Sequence, residues 1–177
     1  MLENNKMINR NSFSRSRGFS LIEVLVSVLI MAVGILGVAG MQVLSLQQNR
    51  NALLRDQALQ AGNDILDRMR ANPLSTYSPV LIDAIPASNV NCVDNSCDRN
   101  EMAEFDIAQW KCRLNPIDAD GAVYAVCAGF NITTASMPGG KGSISKAGLL
   151  YEITVEWTRD QSGNTSTIIL RAQTEDG

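Results

Sequence analysis

Histidine is absent from this chain of 177 residues, and the usual sequence motifs of catalysis are absent with it. Histidine is the most frequent general base and the most frequent metal ligand in proteins. The sequence also has no Walker loop, no GxSxG motif and no motif of paired catalytic carboxylates. Asp118 and Asp120, just before Gly121, faintly resemble a calcium loop, but a turn is the better interpretation. We therefore expect a structural protein rather than an enzyme, with no cofactor and no bound metal.

Charged residues are absent from Val24–Met41, an apolar run of 18 residues in which a serine is the one hydroxyl. A run of about 18 residues is the lower limit for crossing a bilayer as a helix. The basic residues before Phe19 are Lys6, Arg10, Arg15 and Arg17, against the single acid Glu3. Because basic flanks stay in the cytoplasm, we predict a single-pass inner-membrane protein with a cytoplasmic N-terminus and everything after Met41 outside that membrane.

Basic residues are scarce in the rest of the chain. The first 18 residues carry four basic and one acidic side chain, a net charge of +3, so the total of −3 leaves −6 for the remainder. Nucleic-acid-binding domains carry basic patches, and we expect no nucleic-acid partner. The length suits one domain and an anchoring segment rather than two independent domains.

The four cysteines, Cys92, Cys97, Cys112 and Cys127, all follow the apolar run. Outside the inner membrane, an even number of cysteines favours disulfides over free thiols or a metal site. Their spacing is also wider than that of the CxxC pairs in zinc sites. Four cysteines allow three connectivities, and the sequence alone does not choose among them.

The junction before the apolar run separates two interpretations of the N-terminus. A basic stretch followed by an apolar run is also the plan of a secretory signal peptide, but here no AxA-like site ends the run. Glu23 lies near its start, although an acid costs about 2.5 kcal/mol or more near the bilayer centre. Residues 17–23 read RGFSLIE. They resemble the processing site of type IV prepilins, in which glycine is followed by Phe, Thr or Ser, Leu, Ile or Leu, and Glu.

This resemblance implies that prepilin peptidase, a membrane-embedded aspartic peptidase, cuts between Gly18 and Phe19 and methylates the amine of Phe19. The new amine is positive near neutral pH, and Glu23 lies four residues beyond it, about one helical turn. In a filament, the carboxylate of one subunit can pair with the amine of its neighbour. We therefore interpret Glu23 as an assembly determinant; the alternative is an acid that merely lies at the headgroup boundary.

A helical pattern continues well beyond the apolar run. One narrow face carries Val43, Leu54, Ala58, Ala61, Ile65 and Met69. Asn72-Pro73 should end the helix, because the residue before proline avoids helical geometry. Four segments are thus predicted: a cytoplasmic leader at 1–18, an apolar transmembrane and assembly helix at 19–46, its amphipathic continuation at 47–71, and an outer head domain at 72–177.

The apolar segment also lacks the proline that major pilins carry, since the first proline is Pro73. A proline kink is therefore not expected. Gly34, Gly37 and Gly40 recur every three residues and either allow close helix packing or loosen the helix locally.

The head should contain a short helix and then an antiparallel sheet. Asp98 and Glu101 have capping-box spacing, and Asn115-Pro116 should stop the helix. Residues alternate with period two, as in strands, over 124–132, 151–158 and 165–172. Loops are predicted at 138–142 and, as a hairpin turn, at 160–164. A long helix followed by a sheet is an α+β order, and it matches the type IV pilin fold that the resemblance implies.

Within that family the chain is most similar to minor pilins of the PilV type, also called pilus modification proteins. This likeness rests on the stem at 18–46 and on the stretches 67–73, 105–110 and 151–157. The sequence IEVLVS at 22–27 also looks like minor pseudopilins of type II secretion systems.

We favour the disulfide pairs Cys92–Cys97 and Cys112–Cys127, because sequential pairing closes local loops and the family resemblance supports a close first pair. One observation opposes the second pair. Cys127 alternates out of phase with the apolar residues Val126 and Phe130 in the predicted first strand, although the opposite face of that strand is itself apolar.

The resemblance implies a low-abundance pilin that joins a priming complex and enters the filament at or near its tip, in the service of adhesion or twitching motility. Its partners would be major and minor pilins, prepilin peptidase and the inner-membrane assembly platform. The head would face the periplasm and reach the cell surface after assembly. The alternatives are a pseudopilin of a type II secretion or DNA-uptake machine and an adhesin displayed by the pilus.

Overall fold

The computed structural model of the protein describes residues 18–88 and 90–173. The helices are α1 (Leu21–Ala71), α2 (Arg99–Leu114) and α3 (Ala125–Gly129), and the strands are β1 (Lys141–Ala147), β2 (Leu150–Thr158) and β3 (Thr165–Gln173). The predicted α+β class, with a long N-terminal helix and a small antiparallel sheet, is confirmed. The chain divides into two compact units, and the boundary falls between Leu46 and Gln47.

In the first unit, the described residues form the N-terminal part of α1 and the three residues before it. Every side chain from Gly18 to Leu46 is exposed. Within the described residues, α1 is the one helix that is long and apolar enough to cross a membrane, judged by length and composition. An apolar surface of this size, which no described residue of the chain covers, is expected to contact lipid or other chains.

In the second unit, α1 buries one face against the head. Leu54, Ala58, Ile65 and Met69 are all buried, which confirms the predicted face from Leu54 onward. Gly62 lies on the same side, and a Cβ there would collide with the side chain of Leu170 on β3. The helix therefore approaches the sheet closely at Gly62.

The sheet has the order β1-β2-β3, and both pairings are antiparallel. On the central strand, Tyr151, Ile153, Val155 and Trp157 are buried and alternate with partly exposed residues. The predicted alternation of this strand is confirmed. The turn from β2 to β3 is built on Asp160, whose Oδ1 accepts the backbone N–H groups of Ser162 at 3.0 Å and Asn164 at 3.2 Å.

Helix α2 begins and ends where the sequence predicts. Asp98 Oδ1 accepts the N–H of Glu101 at 2.9 Å, and Glu101 Oε2 accepts the N–H of Asp98 at 2.8 Å, so the capping box is confirmed. The helix ends at Leu114, just before Asn115-Pro116. The indole Nε1 of Trp110 donates to the carbonyl oxygen of Ala61 at 2.8 Å, which joins α2 to α1.

The predicted first strand at 124–132 is wrong. Residues Ala125–Gly129 form a single helical stretch, and the N–H of Phe130 bonds back to the carbonyl of Val126 at 3.2 Å. This turn points Cys127 at Cys112 and packs the ring of Phe130 edge-on against Phe105, with centroids 5.0 Å apart. Contacts with α2 thus override the period-two pattern.

The strand that replaces it is β1, which begins inside the loop predicted at 138–142. Its sequence, KGSISKA, contains one large apolar residue, Ile144, so its alternation is weak. Ile144 is nevertheless buried, and it exchanges two backbone hydrogen bonds with Val80. Gly142 is also required there, because a Cβ would collide with the ring of Trp110.

Candidate functional site

The predicted cleavage site lies just ahead of α1. Gly18, Phe19 and Ser20 have no regular secondary structure, and Phe19 is 82% exposed. The carbonyl oxygen of Ser20 accepts the N–H of Glu23 at 3.0 Å and so starts the helix. A Cβ added to Gly18 would meet no described atom within 4 Å. Packing among the described residues therefore does not require glycine at position 18.

Glu23 lies in the first turn of α1. A carboxylate there interacts favourably with the helix dipole, by about 0.3–1 kcal/mol at an exposed site. Within the described residues its carboxylate makes no ion pair. Its neighbours are exposed aliphatic side chains, among them Ile22 and Val24. Among the described residues, Glu23 is therefore an acid without an ion-pair partner on an exposed apolar helix.

The glycines of the stem are also free of contacts. A Cβ added to Gly34, Gly37 or Gly40 would meet no described atom within 4 Å. A shallow groove on this part of α1 is lined by Met31, Gly34, Ile35, Val38, Ala39 and Gln42. Small residues of this kind let a second helix approach closely.

In the head, disulfides join Cys92 to Cys97 and Cys112 to Cys127, the two pairs that the sequence analysis favours. The Cα atoms are 5.6 Å apart in the first pair and 5.3 Å apart in the second. Cys112 and Cys127 are fully buried. The objection from strand phase does not apply, because Cys127 lies on a helix.

A buried polar cluster, which sequence reasoning missed, joins α1 to α2. The carboxylate of Asp106, a residue 6% exposed, accepts Arg68 Nη1 at 2.8 Å and the hydroxyl of Tyr77 at 2.7 Å. Burial opposes the charge of Arg68, but Asp106 and Asp64 hold its pKa above the usual value. Burial and the bond to Asp106 raise the pKa of Tyr77. The one sequence feature that could have indicated this cluster was an acidic residue on the face of α2 that packs into the head.

Lys111 is a second buried charge that the sequence did not reveal. It is 5% exposed, and its Nζ donates to the carbonyl oxygens of Leu81 at 2.9 Å and Ile82 at 3.3 Å. Asp83, the acid whose charge acts on Lys111, forms an ion pair with Lys141 instead. Burial lowers the pKa of Lys111 to about 8, although the charge of Asp83 acts in the opposite direction. Lys111 thus fastens the loop after α1 at the cost of a desolvated ammonium group.

This arrangement predicts a pH-dependent stability. Because the pKa of Lys111 is lower in the folded chain, the unfolded chain binds more protons between about pH 8 and pH 10.5, and the free energy of unfolding rises with pH across that window. Lys111→Met removes this titration. We expect the stability of the unsubstituted chain relative to the variant to increase by on the order of 2 kcal/mol from pH 7 to pH 10. Urea titrations in detergent would measure it, and a difference that is independent of pH would contradict the prediction.

Asp118 stabilises a turn through its side chain. Its Oδ1 accepts the backbone N–H groups of Asp120 at 3.0 Å and Ala122 at 2.9 Å, which confirms the turn interpretation. In the ranges 18–88 and 90–173, no three His, Cys, Asp or Glu residues are placed to hold a metal ion.

Two family models match the chain. The prokaryotic N-terminal methylation motif matches residues 13–39, which include the junction and most of the apolar run. The model described as type IV pilin Tt1218 matches residues 40–108, from the end of that run into α2. Comparisons with curated proteins and with solved structures give no match.

Proposed function

Because this chain belongs to the type IV pilin family, we propose that it is a minor pilin that helps to prime pilus assembly and enters the filament at or near its tip. Prepilin peptidase would first cut between Gly18 and Phe19 and methylate Phe19. The pilin would then be drawn from the inner membrane, with its head facing the periplasm, into a filament of major and minor pilins.

The observation that carries this proposal is the isolated acid on an exposed apolar helix. Glu23 lies in the first turn of α1, and all side chains of the stem from Gly18 to Leu46 are exposed. A helix of this kind is incomplete alone, and a filament covers it with the helices of other subunits. The amine created at Phe19 of a neighbour supplies the positive charge that Glu23 lacks.

Processing gives the first test of the proposal. Mass spectrometry of the protein extracted from membranes should show an N-terminus at methylated Phe19. Gly18→Val should leave the precursor uncut, because a side chain is placed in the peptidase site. Gly34→Ala, a matched glycine substitution inside the helix, should leave cleavage unchanged. A protein that begins at Met1 or after Met41 would rule out the pilin mechanism.

A second experiment is needed to distinguish a pilus subunit from a subunit of a secretion system, because the sequence at 22–27 also looks like minor pseudopilins. Deletion of the gene should lower the number of surface pili seen by electron microscopy and leave type II secretion unchanged. A secretion defect in cells with normal pili would support the pseudopilin alternative. Normal pili that fail to attach to surfaces would support the adhesin alternative.

A further inference from the structure

Arg50 is the first charged residue of α1 after Glu23. Residues 24–49, 26 in all, carry no charge. At 1.5 Å per residue, a helix of this length covers about 39 Å. A bilayer with its headgroup layers is about 40–45 Å thick. A stem that crosses a membrane from residue 24 therefore brings Arg50 to the headgroup layer on the far side.

Arg50 borders a polar cleft of about 620 Å³ in the second unit. Helix α1 contributes Gln47, Arg50 and Asn51 to this cleft, and the turn between β2 and β3 contributes residues 159–162. Every side chain that lines the polar cleft can form hydrogen bonds, and the volume is typical of a ligand site. Gln47 directly follows Leu46, so the polar cleft begins where the apolar stem ends.

Neither arginine of the polar cleft has a strong partner. Arg50 is exposed, and within the described residues its guanidinium makes no ion pair. Arg159 Nη2 lies 3.8 Å from Asp160 Oδ2, which is too long for a hydrogen bond. The carboxylate of Asp160 is engaged by the turn instead, where its Oδ2 accepts the side-chain amide of Asn164 at 2.8 Å. Two arginines against one aspartate give the polar cleft a net charge of +1.

The backbone of the turn fixes the position of Arg159. Strands β2 and β3 pair as far as Thr158 and Thr165, and the N–H of Arg159 donates to the carbonyl oxygen of Asn164 at 2.7 Å. A ligand that binds to a fixed turn needs to order side chains only, which lowers the entropic cost of binding. A guanidinium group also presents its N–H donors in the geometry of two phosphate oxygens. The polar cleft therefore suits a phosphate group.

We propose that the polar cleft binds the phosphodiester headgroup of an anionic phospholipid in the membrane that holds the stem. Arg50 and Arg159 contact the phosphate oxygens, and the neutral side chains of the cleft contact the glycerol hydroxyls. The chain after residue 18 has a net charge of −6, so an anionic membrane surface repels most of the head and attracts this cleft. The proposal needs a membrane-anchored stem, as the proposed function does, but it does not need a filament.

Fluorescence quenching of the full chain in lipid vesicles tests the proposal. Because the four native cysteines are joined in disulfides, a fluorophore can be attached at Thr165→Cys, beside the polar cleft but outside its lining. The vesicles contain phosphatidylcholine alone or an equal mixture with phosphatidylglycerol, and both carry phosphatidylcholine with a nitroxide on the headgroup. We expect quenching at least about twofold stronger in the anionic vesicles. A fluorophore at Ala147→Cys, about 26 Å away along β2, should show no difference.

Removal of the two arginines should abolish the difference between the vesicles. Two arginines at an anionic surface strengthen binding by at least about tenfold, so Arg50→Gln combined with Arg159→Gln should leave quenching at the neutral level. The matched control is Lys146→Gln combined with Arg171→Gln, which removes the same charge from exposed sites at the other end of the sheet. It should keep the difference. Equal quenching in the two vesicles, or an equal loss in both double variants, would overturn the headgroup site.

Further measurements separate the lipid from other occupants. Inorganic phosphate should reduce the difference no more than sodium chloride of equal ionic strength, and a specific effect of phosphate would assign the cleft to the free ion instead. Quenching that rises only when other pilins share the vesicle would assign it to a neighbouring subunit. Flotation of the vesicles reports the anchor. Protein that does not float would contradict this proposal and the proposed function together, whereas protein that floats without the difference would contradict the headgroup site alone.

Discussion

Glu23→Ala and Glu23→Val are expected to leave cleavage after Gly18 largely intact and to remove the subunit from filaments. The acid lies five residues after the predicted cleavage site, in the first turn of α1, and we expect the cut itself not to depend on it. In a filament core, its loss leaves the amine of a neighbouring Phe19 without a counter-charge. Breaking a buried ion pair of this kind costs about 3–5 kcal/mol, which corresponds to a loss of incorporation of at least about a hundredfold.

The measurement compares two fractions of the same cells. Mature, methylated protein in the membrane reports processing, and protein in sheared filaments reports incorporation. Ser27→Ala is the matched control, because it removes the hydroxyl that donates to the carbonyl oxygen of Glu23 at 2.7 Å but keeps the carboxylate. Recovery of Glu23→Ala in sheared filaments at the level of Ser27→Ala would show that Glu23 has no role in assembly.

Replacement of both Cys112 and Cys127 by alanine should lower the free energy of unfolding of the head by about 3 kcal/mol. The two residues are separated by 15 positions, and the closed loop restricts the unfolded chain according to its length. This is a large share of the stability of a small domain. The pair also fastens α3, a helix of only 5 residues, to α2.

The matched control is the double replacement of Cys92 and Cys97, whose separation is only 5 positions. Chain entropy predicts an effect smaller by about 1 kcal/mol for this shorter loop. Urea titrations of both variants in detergent give the comparison. Equal losses of stability would contradict the loop-length argument. Peptide mapping without reductant tests the pairing itself, and a peptide that links Cys92 or Cys97 to Cys127 would refute it.

Local patterns predicted most of the fold. The end of α1 before Pro73 and the capping box at Asp98 follow from residues close in sequence. Strand β2 follows from clean alternation. The segment at 124–132 also alternates, yet it folds as α3, because the contacts of Cys127 and Phe130 with α2 outweigh a weak strand preference. Strand β1 has too few apolar residues for its own sequence to reveal it, because its pairing with β2 and Val80 defines it.

The residues of the candidate site also differ in whether the local sequence reveals them. The junction with Gly18, Phe19 and Glu23 is a linear motif, so the amino-acid sequence is sufficient to identify it. Asp106 and Lys111 could not be identified in this way, because a buried charge is recognised only through its partners. For Asp106 the partner is a side chain 38 positions away, and for Lys111 the main partner is a carbonyl group 30 positions away.

The hydrogen bond from Trp110 to the carbonyl of Ala61 gives the protein an internal optical reporter. Both tryptophans and all three tyrosines follow residue 76, whereas the described stem at 18–46 has Phe19 as its one aromatic side chain. Indole fluorescence therefore reports on the head and not on the stem. Separation of α2 from α1 would break this bond and expose a ring that is 1% exposed when folded. A red shift in emission would thus signal head unfolding even while the apolar helix remains in its micelle.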